Sequence, residues 1–428
     1  MAKDDEKYTW DWKTQTFPVI DPHSKVKHQI IRDYLQSYVQ VLMRNALIPE
    51  LRLSVVDGFC GGGQYDDIGG EAHFGSPLIA LNAIREAEAL INLKRTQPRI
   101  VRTQNFFVDV KQANIDCLRA VLASQNQGHR IDRDVFLQCS DFTQALPAIT
   151  RRIKDFGYGE RALFLLDQYA YGDVPFASIK AIFNSISNAE ILLTFNVDAL
   201  ITYLADRKAN RKAIANIGLE QHIPWSELSA LKANQKHEWQ YLIQRCLSKG
   251  ILIESGAKFM TVFFITPHGA NPRTYWFIHL ANKYRANDVM KSIHWRHGNH
   301  FSHMLSPSLF VGYDANRDVH VTNQEDLLLG EEHHFDGVTH DRICTELSEL
   351  LPQQLYAKRE QTFGDLMHSM ANYTMADEEV VKRSLHVAVA NQDLEVRDKN
   401  GKARRRKGDS IMLSDIIIAP AQSTFFFL

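Results

Sequence analysis

Nowhere in its 428 residues does this chain carry an apolar run of about 18, so nothing in it reads as a membrane-spanning helix. Its first residues, MAKDDEKYTWDWK, lack the apolar core that a secretory signal needs. Cysteine is scarce: Cys60, Cys117, Cys139, Cys246 and Cys344 are scattered, with no C-x-x-C pair. That pattern suggests neither a disulfide framework nor a zinc module, and it fits a reducing cytosol. Neither sign of charge is in excess, with 49 basic against 50 acidic residues and a net charge of −1. A protein that coats nucleic acid needs a broad basic surface to displace counterions, so any such contact here is local. Low-complexity tracts and internal repeats are missing too. What remains, 45% apolar and 23% charged residues, is the balance of a globular protein. The length favours two domains, and together these features predict a soluble, cytoplasmic protein with no membrane contact.

Apolar residues from Lys25 to Met43 recur at helical spacing after Pro22-His23-Ser24, predicting an amphipathic helix. Short apolar runs follow, each ending in an acidic or small polar residue: LSVVDGF, NFFVDV, VFLQCSD, ALFLLDQ and EILLTFN. Helical stretches such as PLIALNAIREAEALINL and VPFASIKAIFNSI separate them, as in buried parallel strands joined by crossover helices. A mostly helical stretch from Val197 to Lys249 then leads to FMTVFFIT and TYWFIHLAN, joined by the turn PHGANPR. Five parallel strands closed by an antiparallel hairpin predict a doubly wound, Rossmann-like α/β sheet of the class I methyltransferase kind. A dinucleotide dehydrogenase would close with a sixth parallel strand.

The first strand ends in VVDGFCGGG, placing Asp57, Gly58, Phe59 and Gly61 in a strand-to-helix loop where the backbone can approach a ligand. A tight structural turn is the other reading of the same glycines. Asp109, at the end of the second strand, is placed to accept from the ribose hydroxyls of a nucleotide-like cofactor. The intervening QYDDIGGEAHFGS is an insertion placed to form a lid. At the end of the third strand Asp141 and Phe142 could bind and stack an adenine, although Asp141 could equally cap a helix. The fourth strand ends in LLDQYAYG, which brings Asp167, Tyr169 and Tyr171 to the central crevice, and Lys27 is a further candidate. The histidines of HWRHGNHFSHM lack a fixed pair with an acidic partner, and a structural role suits them better than a metal.

The chain therefore divides into a sheet domain over residues 1–300, a connector over 301–344 rich in His, Asp, Asn and Gly, and a C-terminal domain over 345–428. In the last, helical patterns in CTELSELL, FGDLMHSM and DEEVVKRSLHVAVANQ precede LEVRD, the turn KNGKARRRKG and SIMLSDIIIAP. Three helices and a two-stranded wing describe a winged helix-turn-helix. Lys402, Arg404, Arg405, Arg406 and Lys407 fall at the wing tip, where they would meet phosphates of DNA or RNA. A solvated loop is the other reading of that run.

Taken together, DPHSKVKHQIIRDYL, VVDGFCGGGQY with GSPLIALNAI, LLDQYAYGDVPFASI, LLTFNVDAL and ANKYRANDVMKSIHW resemble the three-Cys-motif partner proteins, a bacterial group with a methyltransferase-like domain. The likeness spans most of the chain. It departs from the family pattern at Gln168, where a proline is usual, and at Cys60-Gly61-Gly62, where alanine-glycine-proline is frequent. The resemblance implies S-adenosylmethionine as ligand and, by the family's name, a partner protein bearing a three-cysteine motif. The expected activity is methyl transfer to nucleic acid, in a bacterial modification or defence system. Asp57, Gly58, Phe59, Gly61, Asp109, Asp141 and Phe142 would surround the cofactor, with Asp167, Tyr169 and Lys27 at the substrate. Two alternatives stay open: a non-catalytic, nucleic-acid-binding scaffold or sensor that retains the cofactor pocket, and methylation of a small molecule or protein with the C-terminal domain as a dimerisation element.

Overall fold

Leu53, Val55 and Val56 are buried together with Ser54, because the strand that holds them is covered on both faces. This is β1 (Glu50–Asp57), an interior strand of the computed structural model, which describes residues 8–67, 69–168, 171–234, 238–265, 275–297, 302–303, 333–334, 337–403 and 410–420. The other strands are β2 (Ile100–Asp109), β3 (Val135–Cys139), β4 (Arg161–Leu166), β5 (Asn188–Phe195), β6 (Phe259–Ile265) and β7 (Tyr275–Ala281). They form one seven-stranded sheet in the order β3-β2-β1-β4-β5-β7-β6. The first five strands run parallel, and β7 is antiparallel to both β5 and β6. A mostly parallel sheet of this order fits a Rossmann-like methyltransferase fold, as the sequence predicts.

Two compact units make up the chain, Met1–Ile293 and His294–Leu428. The first holds the sheet and the helices that cross between its strands: α2 (Ser76–Asn92), α3 (Gln112–Ser124), α4 (Phe142–Asp155) and α5 (Phe176–Ser185). Before them stands α1 (Pro22–Leu42), whose proline sits in the first turn, where its missing N–H costs nothing. Asp21, at the N-cap position, makes no capping bond and instead accepts from the Tyr8 hydroxyl at 2.6 Å. Midway along α1, buried Tyr34 donates to Glu190 of β5 and lies 3.2 Å from Nε2 of His279 on β7. These polar groups sit in the core without solvent, so their mutual bonds fix where α1 lies on the sheet. After β5 come α6 (Val197–Tyr203), α7 (Lys208–Ile217), α8 (Trp225–Asn234) and α9 (Glu238–Ser255), and after β7 comes α10 (Tyr284–His297). The expected insertion is a short hairpin, Gln64–Asp66 paired with Ala72–Phe74.

In the second unit, α11 (Gly337–Lys358) begins inside the segment expected to be a connector. That boundary moves because Ile343, Leu347, Leu351 and Leu355 form a buried i, i+4 stripe, which the polar residues before Cys344 had concealed. Next come the strand Glu360–Thr362, α12 (Phe363–Met370), α13 (Glu378–Ala390), and the strands Glu395–Arg397 and Ile416–Ile418. The last strand is central and antiparallel to the other two. Thr362 and Asp377 cap the two shorter helices through their side chains.

Candidate functional site

Register places three carboxylates side by side. Phe107 of β2 and Leu165 of β4 lie opposite Asp57, so Asp109 and Asp167 stand two residues beyond it on the flanking strands. Every one of them projects from the carboxyl edge of the sheet, where ligands of open α/β sheets bind.

Asp57 is the most constrained of the three, with 1% of its surface exposed. One oxygen accepts from the Phe59 amide at 3.1 Å, and Ser76 at the head of α2 donates its hydroxyl to the same carboxylate. The other, Oδ2, is buried with no partner. Burial pushes the acid up to about 7, against the bonds from Ser76 and Phe59, and the negative charges of Asp167 and Asp109 push the same way. A buried carboxylate with an idle oxygen is a place for a cation.

The glycines of the loop answer to two demands. Gly61 and Gly63 lie in the left-handed region, at φ of +58° and +82°, where a side chain would strain the turn. Elsewhere the missing Cβ makes room for protein: at Gly62 it would stand 2.3 Å from the Trp10 ring, and at Gly58 2.9 Å from Phe142 and Leu166. Trp10 lies over the loop, its indole N–H donating to the Gln64 carbonyl at 2.6 Å. Cys60, in the same loop, is buried, and burial drives its thiol well above the usual range, away from a nucleophile's.

Asp109 binds the loop directly. Its oxygens accept from the amides of Gly61 (3.1 Å) and Lys111 (2.8 Å) and from the Asn114 side chain (3.0 Å). Of roughly four lone-pair directions on a carboxylate, about one is left for a ribose hydroxyl. Asp141 takes the role that competed with adenine binding: it caps α4, accepting from Thr143 (2.8 Å) and Gln144 (3.3 Å). Phe142 is 2% exposed, with Gly58, Phe59 and Phe164 around its ring. A stacked base would have to displace that packing, so the ring supports the loop from beneath instead of presenting an open face. The apolar character that suggested stacking is the same character that buries it.

At the end of β4, Lys27 reaches Asp167 with its ammonium 2.6 Å from both oxygens. Lys27 is buried, while the Asp167 side chain is 45% exposed. Burial acts to raise the Asp167 acid, but the Lys27 charge and the bonds from Lys27 and Thr194 outweigh it and hold it below the ordinary carboxylate range. His28, the next residue on α1, places Nδ1 3.1 Å from Nε2 of His73 on the hairpin, with the rings nearly parallel. Burial drives His28 down to about 3, helped by His73 and Lys27, so it is neutral at physiological pH. Lys25 pairs with Asp67, and about one turn of α1 thus holds both the hairpin and the tip of β4. Gln168 is buried; its Oε1 accepts from the Val174 amide at 3.0 Å, and its Nε2 has no partner. Tyr169 lies outside the described residues, and Tyr171 is half-buried beside Phe195.

Sequence reasoning brings Asp57, Asp109, Asp167 and Lys27 together and misses Trp10, His28, His73 and Thr194. No spacing signals these four, since each meets its partner across a long stretch of chain. In the second unit, Lys402 is exposed on a tight turn in which Asp398 accepts from the amides of Asn400 and Lys402. Arg404, Arg405, Arg406 and Lys407 lie outside the described residues. Among the described residues no helix is long and apolar enough to cross a membrane.

No family model matches the chain, and no curated protein does. Solved structures do. The chain is similar to a spermidine synthase in complex with a transition-state analogue (10% identity, 61% of this chain and 60% of that one, TM-score 0.28). It is similar also to the bifunctional kinase-methyltransferase WbdD (9% identity, 60% and 39%, TM-score 0.31) and to the methyltransferase domain of bacterial CtHen1 (14% identity, 58% and 99%, TM-score 0.24). It spans less than two thirds of the first two. At such identities and scores the likeness adds nothing to the strand order and the site geometry.

Proposed function

We propose that the chain binds S-adenosylmethionine and transfers its methyl group to nucleic acid. One observation carries this reading: the partnerless, buried Oδ2 of Asp57 beside a glycine turn, at the carboxyl edge of a sheet of methyltransferase order. The ammonium of the cofactor's methionine part is the cation that fits there. Asp57 would hold that ammonium, the loop from Gly58 to Gly61 would carry the adenosine, and the remaining lone pair of Asp109 would take a ribose hydroxyl. Bound in this way, the cofactor supplies an electrophilic methyl on sulfonium. Beside it, Asp167 is kept ionised by Lys27 and half open to solvent, able to accept from an N–H of the target and align it; alignment is most of what methyl transfer asks of a protein.

Nucleic acid is the proposed substrate because the second unit, from α11 on, has the chain order expected of a winged helix: helix, strand, two helices, two strands. Its basic run of sequence, Lys402, Arg404, Arg405, Arg406 and Lys407, would hold phosphates. A place in a cytoplasmic bacterial defence or modification system, beside a three-Cys-motif protein, belongs to this proposal. One observation favours a silent scaffold instead: both oxygens of Asp167 are already engaged by Lys27. Isothermal titration with S-adenosylmethionine and S-adenosylhomocysteine tests the core of the reading. Micromolar binding that Asp57→Asn abolishes is expected; no binding to the original protein would sink it.

A further inference from the structure

Arg207, Lys208, Arg211 and Lys212 crowd the first turns of α7, and no carboxylate occurs from Arg207 to Gly218. A helix's amino end carries partial positive charge, so cations there are opposed by the helix itself and acidic residues are the stable choice. Asp206, just before the helix, pairs with Arg211 (2.6 Å), which also lies over the Trp225 ring. Lys208 and Lys212, four residues apart on one face, are exposed, and no carboxylate among the described residues pairs with them. The opposite side of α7 is anchored by buried Ile214 and Ile217. The fold therefore keeps this helix for its apolar side while the exposed side bears charge that weakens it. The chain reaches α7 by way of α6, directly after β5 leaves the carboxyl edge where Thr194 meets Asp167.

We infer that Lys208 and Lys212, with Arg207, form a phosphate-contact surface on the sheet-bearing unit that grips the backbone of the nucleic-acid strand. The assignment rests on the nucleic-acid reading above and adds a contact separate from the wing. A polyanion is the partner whose charge complements three cations on a helix's positive end, and phosphates also take hydrogen bonds from the backbone amides there.

The test compares the full chain with Lys208→Glu/Lys212→Glu, using a fluorescein-labelled single-stranded 20-mer across a salt series. Expected are a rise in Kd of about tenfold or more at 50 mM salt and a fall of about 1.4 in the slope of log affinity on log salt, about 0.7 for each lost contact on a single strand. The thermal midpoint should stay level or rise, because Glu suits the helix end, and titration with S-adenosylhomocysteine should be unchanged. Oligonucleotide affinity and slope equal to the original protein's would overturn the assignment while leaving nucleic-acid binding through the wing intact. No binding by either protein overturns the nucleic-acid reading and this surface with it. Loss, in the double variant, of sedimentation with phosphatidylglycerol vesicles, at constant oligonucleotide affinity, would assign the cations to lipid and overturn it as well.

Discussion

Replacing Asp57 by Asn should stabilise the ligand-free protein while removing its ligand. In the folded chain this acid rises from its ordinary 3.8 to about 7, so ionising it costs the folded state about 4 kcal/mol more than the unfolded chain. A group raised on folding contributes stability that is whole below the unfolded value and lost as pH climbs through the folded one. Asp57 therefore weakens the fold progressively between about pH 4 and pH 7, and the full cost is present at pH 8. Asn cannot ionise and still offers an oxygen to the Phe59 amide. Allowing about 1 kcal/mol for a poorer bond from Ser76, the variant should be about 2–3 kcal/mol more stable at pH 8 and nearly equal to the original at pH 5. Thermal melting of both proteins at the two pH values measures this, and titration at the same values should show ligand binding by the original protein alone. The affinity of that protein should fall about fivefold between pH 7 and pH 6, as protonation withdraws the anion that pairs with the ammonium. His28 and Asp167 are both held away from this window and will not mimic the effect. A variant that is less stable at pH 8, or equally shifted at both pH values, would show that the buried oxygen is neither charged nor waiting for a cation.

The Lys27–Asp167 pair should break asymmetrically. Asp167→Asn strands a buried ammonium and should cost about 2 kcal/mol in urea unfolding, reduced from the buried-pair range because Asp167 is half open to water. Lys27→Met leaves only an exposed carboxylate and should cost less than about 1 kcal/mol; equal losses would mean that the ammonium is solvated. The contribution of Asp167, lowered on folding, is whole above about pH 4 and disappears as pH falls below it. Gly62→Ala should cost about 1–3 kcal/mol by pressing a methyl into Trp10, and the cost should shrink when Trp10→Ala is already present. Strict additivity in that cycle would show that Trp10 does not rest on the loop.

Much of this molecule is written in local pattern. The runs ending at Asp57, Asp109 and Asp167 are strands because residues buried on both faces must be apolar, and the sequence shows where each run stops. The glycine turn is equally legible, though not its reason: Gly62 makes room for Trp10, fifty residues away, and no local rule reports that. Asp141 and Phe142 show the limit differently. A carboxylate before an aromatic residue at a strand end suits a ligand or a helix cap, and only the Thr143 and Gln144 amides decide for the cap. The helix at Gly337 was hidden because its first turn is polar, and its apolar stripe begins only at Ile343. His28 and His73 were invisible because a histidine pair has no spacing when its members come from a helix and a distant hairpin.

Helix α1 leaves the ribosome before every strand of the sheet, yet its partners come late: Lys27 waits for Asp167, 140 residues on, and Tyr34 for Glu190 and His279, 156 and 245 residues on. At synthesis rates of about 5–20 residues per second, that last wait is about 12–50 seconds. Through it α1 rests on α2, and only the side that carries Tyr34 waits for the far strands of the sheet. A chain stalled before β7 should expose that side of α1 to chaperones, and a chain refolding from denaturant, with every strand present at once, should complete its sheet without the delay.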